Sequence, residues 1–212
     1  MKTGDFINAL VEDQGANPPR SGLPLAAQLA GGLAFSLAIF FVFLGIRSDF
    51  LHAITDLHVV FKFIAAASLF GSLLPLVLYA VRPEIQLSRR LAWLALPLFV
   101  LVIGIAFQLL TSPTDYWFSG MVGRYPAACL RNIPVLAMGP FFVLLVMLKK
   151  GAPSQPVLSG AIAGAASGGM AAFIYALHCP DDSALFVALW YSLAIGIVTV
   201  IGAVVGRVWL RW

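Results

Sequence analysis

Residues 24–46 read PLAAQLAGGLAFSLAIFFVFLGI, a stretch without a single charged side chain. A helix rises about 1.5 Å per residue, and a bilayer's hydrocarbon core is about 30 Å thick. The stretch is therefore long enough to cross a membrane and has no polar face to turn to water. Five further blocks of the same character follow, at 59–81, 91–111, 129–148, 157–177 and 185–206. The pattern predicts an all-α integral membrane bundle of six transmembrane helices over residues 23–212, preceded by a short amphipathic segment over residues 1–22.

Composition agrees. The chain is 61% hydrophobic and 10% charged, against about a quarter charged in soluble domains. Residues 1–22 carry Asp5, Glu12 and Asp13 and lack an apolar h-region, so they do not read as a signal peptide. No run of Lys or Arg exceeds the pairs Arg89-Arg90 and Lys149-Lys150, which argues against direct contact with nucleic acid.

Orientation follows from the cations. Lys2, Arg20, Arg82, Arg89, Arg90, Lys149, Lys150, Arg207 and Arg211 fall on the side of the termini; Arg47, Lys62, Arg124 and Arg131 fall on the other. Nine against four places both termini of a multi-pass protein in the cytoplasm. The outer side then holds His52, His58, His178, Cys129 and Cys179, every imidazole and thiol of the chain.

Residues 3–14 read as a short helix, capped by Thr3 with Asp5 in its first turn. Phe6, Ile7, Leu10 and Val11 share one face, Gly15 ends the helix, and Asn17-Pro18-Pro19 stiffens the link to the first span. So short a helix needs a surface. The membrane interface or the protein's own loops would serve, and so would a groove on a cytosolic partner with Phe6, Ile7 and Leu10 as anchors.

The two cysteines admit three readings: a structural disulfide, two inert packed thiols, or a pair sensing oxidants or soft metals. Cys129 starts the fourth span with Arg131 two residues on, and Cys179 follows the fifth beside His178, which could add an imidazole to a metal site. Asp181, Asp182 and Ser183 read as caps of the sixth span. Lys62 and Arg131 lie near the outer ends of their blocks, from which they can snorkel to the interface, with Asp49 and Asp56 as alternative partners for pairing. Gly160, Gly164 and Gly168 form a smooth stripe that suits close packing within the bundle, with a homodimer interface as its second use.

Other function classes fit less well. A small transporter or metal permease would place ionisable residues at mid-membrane, where these spans have none. A thiol oxidoreductase would show Cys-x-x-Cys, and Ser167 has no His at its depth, so an enzyme is not expected and no cofactor is called for.

Three groups of residues carry a resemblance: Met1-Lys2-Thr3 with Asp5-Phe6-Ile7 and Leu10; Gly151-Ala152-Pro153 after Lys149-Lys150; and residues 175–183, YALHCPDDS, with Phe186, Trp190-Tyr191 and the ending Leu210-Arg211-Trp212. The chain resembles the NrsF family of six-span bacterial membrane proteins, which act as anti-sigma factors for extracytoplasmic-function (ECF) sigma factors. Phe6 stands where a Leu would be expected, and the position stays apolar. The resemblance implies that the segment around Asp5, Phe6, Ile7 and Leu10 contacts the sigma factor. It also implies that Cys129 and Cys179 are the sensor on the outer side, releasing the partner under heavy-metal or oxidative stress.

Overall fold

The structure, a computed structural model, describes residue 4 and residues 25–81 and 87–211. Asp5, Phe6, Ile7 and Leu10, and the helix expected over 3–14, lie outside the described residues except for Gly4. Every regular element described is helical. In chain order these are α1 (Leu25–Phe43), α2 (Phe50–Ala53), α3 (Leu57–Ala80), a 3-10 turn (Leu87–Leu94) leading into α4 (Ala95–Thr111), α5 (Asp115–Val122), α6 (Pro126–Gly151), α7 (Pro156–Tyr175) and α8 (Ala184–Trp209). Six stretches, centred on α1, α3, α4, α6, α7 and α8, are long and apolar enough to cross a membrane.

Local chemistry sets the boundaries. The Asp56 carboxylate accepts from the His58 amide at the start of α3. Pro126 and Pro156 open α6 and α7, where a missing N–H costs nothing. Ala152, at φ 48°, ends α6 in the left-handed region. Val187–Tyr191 forms one π-helical turn inside α8. The short helices α2 and α5 lie where sequence predicted only loops, because segments of 4 and 8 residues are too short to show a period.

α7 is the central helix, with 67% of its span buried, against 17% for the spans of α1 and α4 at the periphery. It packs most closely on α8. A Cβ at Gly160 would collide with the Gly202 carbonyl, one at Gly164 with the Val198 carbonyl, and one at Gly206 with the Pro156 carbonyl. Only glycine lets the two backbones approach this far. The stripe of Gly160, Gly164 and Gly168 is thus covered by the chain's own α8. Apolar packing splits into two clusters: one around Leu73, Leu76, Leu144, Leu148 and Ile162, the other around Ile133, Tyr175, Phe186 and the two cysteines.

Candidate functional site

The turn from α7 to α8, residues 176–183, is tied to nearly every other part of the bundle. The Leu177 carbonyl accepts the Arg47 amide at 3.1 Å. Nδ1 of His178 donates to the Gly45 carbonyl at 3.0 Å, just beyond α1. The Cys179 carbonyl accepts from Lys62 Nζ of α3 at 2.8 Å and from Arg47 Nη1 at 3.4 Å. The Asp181 carboxylate accepts the amides of Arg124 and Tyr125, each at 3.0 Å, ahead of α6. Asp182 pairs with both Lys62 and Arg47. Ser183 accepts from Gln108 Nε2 of α4 at 2.8 Å.

Within this turn the sulfurs meet. Cys129 and Cys179 are both fully buried, and their Sγ atoms lie 3.9 Å apart. Both are free thiols. Tyr175, Tyr191 and Phe186 pack into the same cluster, and the Tyr191 hydroxyl is buried with no hydrogen-bond partner among the described residues. The Cys179 thiol is pulled down to about 7, first by its hydrogen bond with Cys129 and then by the Lys62 ammonium, against the burial that raises it. A sulfur poised in this way is the more nucleophilic of the two.

Several sequence expectations change here. Lys62 does not snorkel, and it pairs with neither Asp49 nor Asp56. Its side chain is 0% exposed, and its ammonium is enclosed by Asp182 and the carbonyls of Cys179 and Asp181. A charge buried in apolar surroundings needs such a partner. Of the three residues expected to cap α8, only Ser183 does so, accepting the Phe186 amide. Asp181 instead holds the start of α6, and Asp182 holds the two cations. Arg131 is exposed and donates to Asn132 rather than to a thiol. The His178 ring is engaged with Gly45, and His58 with Asp56 at 3.0 Å. Among the described residues, no group of three or more His, Cys, Asp or Glu is arranged to hold a metal ion.

Sequence reading missed Arg47, Lys62 and Gln108 as parts of this site. Arg47 reaches both Asp49 and Asp182, and these two carboxylates hold its guanidinium above its ordinary range. Asp49 is correspondingly held down to about 2. Gln108, buried in α4, accepts the amides of Ala184 and Leu185 and fixes the start of α8. A signal existed for two of them. Lys62 and Gln108 are polar residues inside apolar blocks, and such residues find internal partners.

The chain matches the family described as NrsF, negative regulator of sigma F, over residues 10–212. It is 33% identical to the anti-sigma-F factor NrsF of Caulobacter vibrioides, with all of both chains covered. It is 31% identical, again over the whole of both chains, to the probable anti-sigma-F factor NrsF of Azospira oryzae. No solved structure matches it. A family match across nearly the whole chain, with relatives aligned end to end, settles the kinship: this protein belongs to the NrsF family.

Proposed function

We propose that the protein is an inner-membrane anti-sigma factor with both termini in the cytoplasm. Its N-terminal segment, through Asp5, Phe6, Ile7 and Leu10, holds an ECF sigma factor at the membrane. Periplasm-facing Cys129 and Cys179 respond to heavy metals or oxidants, and the response releases the partner. Family membership supports the regulatory role. The distribution of Lys and Arg supports the orientation.

One observation carries the sensing half: two free, fully buried thiols, one in α6 and one in the turn before α8, 3.9 Å apart, where that turn touches α3, α4, α6 and the segment after α1. A disulfide would draw that turn and the start of α6 together, and a soft metal ion would cross-link the two at close to their present separation. The test is co-purification of the sigma factor from detergent. Wild type retains it, Phe6→Asp and Leu10→Asp lose it, and the double variant Cys129→Ser/Cys179→Ser retains it under oxidant or cadmium stress. A wild type that brings down no sigma factor refutes the anti-sigma role. A double-serine variant that releases it normally refutes the thiol sensor.

A further inference from the structure

A reaction at the outer sulfurs must reach a tail on the far side of the membrane, and the charged groups around Cys179 offer a route. Two cations from different parts of the chain grip the same peptide: Lys62 Nζ of α3 and Arg47 Nη1, beyond α1, both donate to the Cys179 carbonyl. The same two cations share the Asp182 carboxylate. Arg47 is four residues beyond the end of α1, and its amide is held by the Leu177 carbonyl at 3.1 Å. α1 is the span that leads back to the N-terminal segment.

We propose that Lys62, Asp182 and Arg47 form the joint that transmits the state of the thiol pair to α1, an inference that rests on the thiol-sensing reading above. The sulfurs must approach from 3.9 Å to about 2 Å to form a disulfide. Cys179 cannot make that movement independently, because its carbonyl is clamped by both cations. Lys62, with its side chain fully buried, follows the carbonyl and the carboxylate or leaves a charge stranded in apolar surroundings. Arg47 is drawn along through three contacts with the turn: the Leu177 carbonyl, the Cys179 carbonyl and the Asp182 carboxylate. The displacement therefore arrives at the outer end of α1 as a discrete rearrangement of ion pairs, the kind of bistable element that switching requires.

The test uses the full chain, reduced and loaded with its sigma factor in nanodiscs. A diazenedicarboxamide oxidant takes two electrons and two protons from the two thiols, forming the S–S bond and a hydrazine. In wild type, closure releases the sigma factor. In Lys62→Met/Asp182→Leu, which removes both charges together, the disulfide closes but the roughly tenfold or greater weakening of sigma binding is lost. Undiminished release from that variant, with its disulfide closed, overturns the joint. A wild type that closes its disulfide and keeps its partner overturns the sensing reading itself, and the joint falls with it. A second measurement needs no variant. Hydrogen exchange on the wild type, reduced against closed, gains rate over residues 44–50 if the joint operates; unchanged protection there overturns it.

Discussion

Asp182→Leu should destabilise the protein more than Lys62→Met, and the two together should cost less than Asp182→Leu alone. The asymmetry follows from how the charges are shared. Arg47 has two carboxylates, Asp49 at 2.7 Å and Asp182 at 2.8 Å. Lys62 is fully buried, and Asp182 is the carboxylate it pairs with. Removing Asp182 thus strands a buried ammonium, which costs about 3–5 kcal/mol. Removing Lys62 leaves Asp182 with Arg47 and the Cys179 carbonyl with Arg47 at 3.4 Å. That change forfeits hydrogen bonds but strands no charge, at about 1–2 kcal/mol. The double variant places apolar groups where the pair stood and should resemble Lys62→Met. For a chain of this length 1 kcal/mol moves the melting temperature by roughly 2–4 °C, so Asp182→Leu should melt about 6–20 °C below wild type. Thermal unfolding of the four proteins in one detergent measures the cycle. Equal costs for the two single variants, or additivity in the double, would refute the reasoning.

Four further outcomes are expected. Gly202→Ala should destabilise by about 1–3 kcal/mol, because its added carbon meets the Gly160 carbonyl, whereas at Gly196 in the same helix that carbon meets open space and Gly196→Ala should melt no lower than wild type. Gln108→Leu should cost about 1–3 kcal/mol by leaving the Ala184 and Leu185 amides without their acceptor, and should speed hydrogen exchange at those two residues. Alkylation of Cys179 by a membrane-permeant bimane should show a midpoint below the ordinary thiol value of about 8.5, and Cys129→Ala should move it up toward that value. Asp49 is held down to about 2 by its hydrogen bonds from Arg47, so its contribution is complete above the ordinary carboxylate value of about 3.9 and is lost as pH falls toward 2; Asp49→Asn should flatten the fall in stability over that window.

The six long apolar helices were legible because the capacity to cross a membrane is written in length and hydropathy, both of which are local properties. The 3.9 Å separation of Cys129 and Cys179 was not, since fifty residues and two helices lie between them and chain spacing carries no distance. The roles of Asp181, Asp182 and Ser183 show the same division. Their position before α8 correctly suggests capping, and one of the three does cap. The other two are claimed by groups distant in sequence: the amides ahead of α6, and the cations Lys62 and Arg47. Lys62 was visible as a charge in an apolar block, but only its depth in the folded bundle rules out snorkelling. The small-residue stripe was legible as an interface, and its partner, α8, emerged only from the backbone contacts.

The packing also indicates where a movement of the turn would go. Residues 176–183 are anchored at both ends to α7 and α8, and those helices are locked backbone to backbone at Gly160, Gly164, Gly202 and Gly206. A disulfide therefore cannot be accommodated by separating them without opening the closest contact in the bundle. The strain falls on what the turn holds: the start of α6, Lys62 of α3, and Arg47 beyond α1. α3 and α6 each have about twice or more the buried share of α1, at 33% and 44% against 17%. α1 is fastened to the bundle mainly along one line, by Gly32 against Pro140, by Phe35 beside Gly139 and by the Ser36 hydroxyl donating to the Leu136 carbonyl at 2.7 Å. It is the most weakly held of the three, and so the element that yields first.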